Sequence, residues 1–524
     1  MLAIGAGGID VAVAMGSGVF RLNAPKVIRV ELKGRLKPWV SAKDVVLKVL
    51  ELFTTKGNVG TVLEYGGPGV AQLDVPERAT IANMGAECGV TSSVFPSDGE
   101  TRRFLDAQGR GEAWRELAAD PDAVYAKTVE IDLTELEPLA AKPHSPGNIV
   151  TVTSLAGTKV DQVLFGSCTN SSYRDLKMVA RILEGRKVHP DVAAGMAPGS
   201  RQVVAMLARE GLLTVLLDAG VRLLENACGF CIGNSMSPST NAVSLRTCNR
   251  NFEGRSGTPT ARVFLVSPET AALAAVFGRV TDPRTIEDIK YPRVLLPKEF
   301  AIDDTLFVRP PKDRKSVAIV KGPHIGSVPA NAPVPEDLDG VAAIKVGDKI
   351  TTDHIMPAGQ RMKYRSNVET YSKYVFEGVD AGFAAAAAKA RDEGRHNVIV
   401  AGESYGQGSS REHAALCPMV LGVKAVVAKS IERIHSANLV NFGIVPFLFE
   451  RAADYDRIEK GDRLTIKGLR AAVAGEGRAV LRDETRGADL PVRARLSERQ
   501  REIVLAGGLL NHVRHLAKGG PTKA

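Results

Sequence analysis

DQVLFGSCTNSSYRDLKMVARIL, residues 161–183, reads as an apolar strand, a polar loop and an amphipathic helix. Cys168 falls in the loop where the strand ends. A second stretch repeats the layout: VRLLEN (221–226) reads as a strand, and ENACGFCIGN (225–234) puts Cys228 and Cys231 in a glycine-flanked loop behind it. Open α/β sheets build their sites outside the carboxyl ends of parallel strands. The small neighbours Gly166, Ser167, Gly229 and Gly233 let the backbone approach a bulky group and donate N–H groups to it.

The strand–helix alternation extends outward from there. KVIRVEL (26–32) and TVLEY (61–65) read as strands, and AKDVVLKVLELF (42–53) as a helix behind Ser41 as N-cap. This predicts a multi-domain α/β architecture with largely parallel sheets. At 524 residues the chain is too long for one ordinary domain. Proline and glycine breaks divide it into 1–25, an α/β domain at 26–144, an α/β domain at 145–298 carrying the cysteines, a proline-rich linker at 299–338, and a last domain at 339–524.

Six dispersed cysteines, at 88, 168, 228, 231, 248 and 417, do not form a disulfide framework and point to a reducing, cytoplasmic compartment. The net charge of +9 is not concentrated in basic runs, so it reads as a solvated surface plus a few buried arginines rather than a nucleic-acid face. The apolar start MLAIGAGGIDVAVAM carries Asp10 and lacks a basic n-region, which argues against a signal peptide; no membrane span is expected. It resembles the interior of a folded domain, entered without a cap or turn.

Four chemistries are open to the cysteine loops. Zinc needs a fourth ligand that a single CxxC does not supply. A redox pair wants its CxxC at the start of a helix. Inert buried thiols are the third choice. The fourth, which the spacing favours, is a [4Fe–4S] cluster held by Cys168, Cys228 and Cys231, with one iron left open as a Lewis acid. A third glycine-rich loop, in NVIVAGESYGQGSSREHAAL (397–416), places Ser409, Ser410 and Arg411 where a helix opens, which suits a carboxylate ligand; a plain N-cap serine is the alternative. TCNRNFEGRSG (247–257) holds Arg250 and Arg255, whose forked guanidiniums match carboxylates.

GSCTNSSYRDL, ACGFCIGN, SLRTCNRNFEGRSG, TTDHIMPAG and GESYGQGSSREHAAL, in this order, resemble the aconitase family, as do APKVIRVELKGRLKPWVSAKDVVLKV, LEYGGPGV and ATIANMGAECGVTSSVFP upstream. The resemblance covers nearly the whole chain. It implies three α/β domains, the first truncated, around an iron–sulfur cluster, plus a C-terminal swivel domain. It implies a hydro-lyase that interconverts citrate and isocitrate through cis-aconitate. It implies cluster ligation by Cys168, Cys228 and Cys231, and substrate contacts from Arg250, Arg255, Arg365, Arg411, Ser410 and Asn83. Ser409 would be the base, and Glu87 belongs to the catalytic set. The fused swivel domain and TTDHIMPAG look like the aconitate hydratase branch. A related dehydratase acting on homoaconitate, 3-isopropylmalate or 2-methylcitrate is the alternative. The expected partner is a small tricarboxylate and the expected state a monomer; RNA binding by cluster-free members has no aromatic–basic support in this chain.

The chain departs from the family at its start. The family's Asp-Ser-His motif and an earlier Asp-His, which supply substrate contacts and the proton for the leaving hydroxyl, have no counterpart here. On the order of a hundred residues, roughly one domain, would precede Met1. The expectation is a start assigned too late, a truncated record or a decayed gene, with an inactive fragment as the last alternative.

Overall fold

The computed structural model describes residues 2–517 except 5–7, 21, 23, 56, 59, 358 and 408–410. The chain divides into two compact units, one of Met1–Gly5 with Leu22–Arg309, the other of Ala6–Arg21 with Pro310–Ala524.

The first unit is built on two sheets. A five-stranded sheet runs in the order Leu2–Ile4, Ser92–Val94, Thr61–Gly66, Lys26–Lys33, Lys127–Asp132, parallel except at Leu2–Ile4. The helix Ala42–Phe53 packs in this layer. Ser41 caps it in a capping box with Asp44, and Val45, Val46, Leu47, Val49, Leu50 and Phe53 are all buried. Lys43 and Asp44 of its first turn are buried as well, an arrangement that apolar periodicity does not announce.

A seven-stranded sheet runs Arg222–Leu223, Ala193–Ala197, Gln162–Gly166, Val243–Arg246, Arg262–Leu265, Leu139–Ala141, Ile149–Thr151. Its first five strands are parallel, so the loops after Gly166 and Leu223 leave from the same end of the sheet. The helix Tyr173–Leu183, capped by Ser172, follows the first of these loops as its sequence predicts. The strand expected over 221–226 is only Arg222–Leu223. It lies at the sheet edge with one neighbour and both its residues are exposed, so little holds a longer pairing.

In the second unit seven strands close into a barrel: Leu338–Val346, His396–Ala401, Val423–Ala428, Val445–Phe449, Ala488–Arg493, Arg478–Asp483 and Arg463–Ile466, the last pairing back onto the first. The helix Gly8–Ser17 belongs to this unit, burying Ile9 and Val13. From Phe300 to Asp337 the one regular piece among the described residues is the turn Arg314–Ser316. The helix expected to open on Ser409, Ser410 and Arg411 begins at His413. Arg411 is drawn into an ion pair with Asp353, and the Glu412 carboxylate accepts the Ile9 N–H at 2.8 Å. Ser409 and Ser410 lie outside the described residues.

Candidate functional site

The chain leaves the strand Gln162–Gly166 through two left-handed residues, Gly166 (φ 94°) and Ser167 (φ 86°). A β-carbon at Gly166 would stand 2.1 Å from the Ala197 carbonyl oxygen, so only glycine permits this exit. The turn brings Cys168 to the surface. Gly166 N–H donates to the Thr247 hydroxyl at 2.8 Å, which ties this loop to the one that carries the arginines.

Asn83, near the end of the helix Val75–Gly85, organises the approach to Cys168. Its Nδ2 donates to the Cys168 carbonyl at 3.2 Å. Its Oδ1 accepts from Thr169 Oγ1 at 2.8 Å and from Asn249 Nδ2 at 2.6 Å. Asn249 Nδ2 also lies 3.8 Å from Cys168 Sγ. Beside this group a cavity of about 380 Å³ is lined by Asn83, Cys168, Thr169, Asn170, Arg174 and Ser200 among others, a size that admits a small ligand.

Cys231 sits in the tight turn Phe230–Ile232, closed by left-handed Gly233, while Cys228 is exposed just before it. A hydrogen bond from the buried Cys248 thiol holds Cys231 well below a thiol's ordinary pKa, and the guanidinium of Arg255, 3.7 Å from its sulfur, adds to this. The same bond and burial push Cys248 up. Burial raises Cys168 too, and the charges of Cys231 and Cys228 raise it further. Cys168 therefore lies within electrostatic reach of both other sulfurs, and thiols so grouped can serve as ligands to a cationic guest that draws off their protons.

The second loop, 247–257, is fixed from below. Lys43, fully buried, donates from Nζ to the carbonyls of Thr247 (2.7 Å) and Cys248 (3.0 Å), and burial lowers its pKa to about 8. Further along, Arg250 Nε donates to Glu87 Oε1 at 2.8 Å. Burial raises the Glu87 pKa, and Arg250 only partly offsets it. Glu87, Asn83, Arg250, Arg255 and the three cysteines thus belong to one neighbourhood of the first unit.

The second unit holds the remaining arginines. Arg411 pairs with Asp353, and Arg365 is exposed, with its carbonyl 3.0 Å from His413 Nε2. Burial lowers the His413 pKa, its hydrogen bond to the Arg365 carbonyl opposes this, and the charges of Arg365 and Arg411 lower it further. Its ring lies 5.3 Å from that of Tyr371. Asp353 comes from the TTDHIMPAG stretch, where Thr351 caps the short helix Thr352–Ile355.

Among the described residues no three His, Cys, Asp or Glu side chains converge closely enough for a single metal ion. A multi-iron cluster asks for something else, thiolates spread around a body of several atoms and polar groups turned toward it. Ser167 Oγ, Asn249 Oδ1 and Arg255 Nε are buried with no hydrogen-bond partner, and all three neighbour the cysteine loops. Orphaned buried polar atoms are costly unless a guest satisfies them. With the thiol set, they fit such a cluster.

Asn249, Lys43 and Arg246 carry no sign of these roles in the sequence. Asn249 stands beside Arg250 in NRNFEGR, so adjacency alone marks it. The two cations carry no local sign of burial.

The model of the aconitase family (aconitate hydratase) matches residues 1–158 and 153–278, and that of the aconitase C-terminal domain matches 344–452. The chain is similar to the mitochondrial aconitate hydratase of Candida albicans, 35% identical over 91% of this chain and 69% of that protein. It is similar to the mitochondrial homocitrate dehydratase of Saccharomyces cerevisiae, 32% identical over 99% of this chain and 74% of that protein. A solved 3-isopropylmalate dehydratase from Methanocaldococcus jannaschii matches 35% of this chain and 98% of its own, at 31% identity and a TM-score of 0.29. The mitochondrial names of the Candida albicans and Saccharomyces cerevisiae proteins and of other relatives overturn the cytoplasmic expectation, which rested on cysteine usage alone; a reducing compartment is not a location. No helix among the described residues is long and apolar enough to cross a membrane.

Proposed function

The chain belongs to the aconitase family of hydro-lyases, and from that premise we propose that it interconverts citrate and isocitrate through cis-aconitate. The observation that carries the proposal is the grouping of Cys168, Cys228 and Cys231 with Asn83, Glu87, Asn249, Arg250 and Arg255 in one neighbourhood. We read the chain as α/β domains at 26–144 and 145–298, a linker at 299–338 and a swivel domain at 339–524.

Cys168, Cys228 and Cys231 would hold a [4Fe–4S] cluster, which when bound supplies a Lewis acid that polarises the substrate's C–O bond. Arg250 and Arg255 bind substrate carboxylates through their forks, and Arg365 and Arg411 do the same. Cations paired with the carboxylates of a tricarboxylate restrict it to a reactive geometry. Ser409 takes the proton from the carbon next to a carboxylate, and Ser410 contacts the substrate. Glu87 Oε holds a proton at higher pH than an ordinary carboxylate does, because burial disfavours its charge. That suits a group that can exchange a proton within the catalytic set. Asn83 and Asn249 fix the Cys168 loop by their mutual hydrogen bonds.

The full chain, reconstituted anaerobically with ferrous iron and sulfide, tests this reading. Citrate and isocitrate should both yield cis-aconitate, and Ser409→Ala should lower kcat by about 10²–10⁴ with KM little changed. A Ser409→Ala protein with normal kcat would make this serine a cap rather than a base. The similarity to a homocitrate dehydratase favours one second reading, a substrate longer by one methylene. Turnover of homocitrate over citrate would establish it, and turnover of neither would remove both readings.

A further inference from the structure

Arg246, the last residue of the strand Val243–Arg246, is fully buried, and among the described residues no carboxylate pairs with it. An uncompensated buried guanidinium is costly, so what its donors hold matters. Nε donates to Ser244 Oγ at 2.9 Å, on its own strand. One terminal nitrogen donates to Gln162 Oε1 at 3.1 Å, on the neighbouring strand that leads to Cys168. The other donates twice: to the Phe230 carbonyl at 2.7 Å and to Ser256 Oγ at 2.9 Å.

Those last two acceptors stand one residue from Cys231 and one residue from Arg255. One planar, rigid group thus fastens the cysteine turn and the arginine loop to the same point of the sheet. The Phe230 ring also lies 5.7 Å from the guanidinium carbon. The two loops touch directly at the same place, because a β-carbon on Gly233 would come within 3.1 Å of Ser256 Cα. Gln162, held by Arg246, in turn donates from Nε2 to the Met236 carbonyl at 2.9 Å, fixing the far side of the cysteine loop.

We propose that Arg246 is a positioning residue that couples the cluster-binding turn to the carboxylate-binding loop, setting the distance between Cys231 and Arg255. The inference rests on the reading of those two residues as cluster ligand and substrate ligand. Arg246 steadies the geometry of the site through its four hydrogen bonds. Lysine cannot replace it, since a single ammonium cannot hold Ser244 and Gln162 on the sheet while it reaches Phe230 and Ser256.

Hydrogen exchange on the full chain, without iron or substrate, tests the coupling directly. Arg246→Lys should raise exchange about tenfold, the effect of one buried hydrogen bond, in peptides covering both 226–236 and 247–257, and leave the helix Tyr173–Leu183 unchanged. Ser256→Ala should free 247–257 alone, and it keeps the test decisive if Arg246→Lys does not fold. After reconstitution with iron and sulfide, Ser256→Ala should raise KM for citrate several-fold at normal iron content, while Arg246→Lys should also lower iron per chain. Unchanged exchange in both loops, or a uniform rise across the unit, would overturn the proposal. If the chain turns over neither citrate nor homocitrate, the exchange pattern still decides, so failure of the functional reading and failure of the coupling stay distinct.

Discussion

The arginines of the two units are set in opposite ways. In the first unit Arg250 and Arg255 ride on a loop clamped from beneath by two buried cations, Lys43 and Arg246, whose own partners are carbonyls and hydroxyls. In the second unit Arg411 meets an Asp353 whose side chain is 54% exposed, and Arg365 stands in solvent. A clamped loop has its geometry fixed before any ligand arrives. An exposed ion pair is worth little by itself and can yield to a better anion. The difference teaches that binding residues of similar type need not carry similar structural weight. Substitutions near the first loop should cost stability as well as binding, whereas those in the second unit should register in kinetics alone.

The sharpest test removes a ligand from the clamped side. Cys231→Ser should abolish iron incorporation on anaerobic reconstitution, read as iron per chain and as loss of the cluster's visible absorption. Full iron content in that variant would break the assignment of this turn. Next in size, Lys43→Met should leave the Thr247 and Cys248 carbonyls without their donor and cost about 3 kcal/mol, measured by urea unfolding. A shift below about 1 kcal/mol would mean that the loop is held without this clamp.

Glu269 probes the same buried charged layer. It is fully buried, and burial raises its pKa to about 7, with the charge of Asp44 adding to this and Arg174 opposing it. Its Oε2 has no hydrogen-bond partner. The unfolded carboxyl titrates near 4.3. Between about pH 4.5 and 7 the folded state holds a proton that the unfolded state has lost, so this group's contribution falls as pH rises through that window. Glu269→Gln should therefore gain about 2 kcal/mol over the parent at pH 8 and nothing at pH 4, by denaturant midpoints at the two pH values. An equal gain at both would mean packing rather than ionisation.

The smallest effect belongs to the exposed side. Arg411→Lys should leave the melting temperature within about a degree and raise KM by roughly tenfold, through loss of the bidentate fork. A melting temperature several degrees lower would erase the contrast between the two units.

What the sequence revealed follows the same division. The helix Ala42–Phe53 was legible from its Ser41 cap and apolar spacing, and the Cys168 loop from a strand that stops at glycine. These are local signals. The buried roles of Lys43 and Arg246 were not legible, because each depends on a neighbour far along the chain: Thr247 lies 204 residues from Lys43. A lysine in a helix and an arginine at a strand end look like surface until the partner is known. The helix that starts at His413 rather than Ser409 was missed for a related reason. Asp353, 58 residues upstream, takes Arg411 for an ion pair.

The closed barrel of the second unit bears on solubility. Its strands form a ring, with Leu338–Val346 bonded on one side to His396–Ala401 and on the other to Arg463–Ile466, so its ladder presents no unpaired strand to another chain. The sheets of the first unit do end in open strands. One terminal strand, Lys127–Asp132, is lined with the charges of Lys127, Glu130 and Asp132, and another, Arg222–Leu223, is only two residues long. Charge and brevity are what keep such borders from templating a neighbour. Neutralising Lys127 and Glu130 would therefore be expected to make this protein precipitate on warming, while an equivalent change on the barrel's outer face would leave it clear.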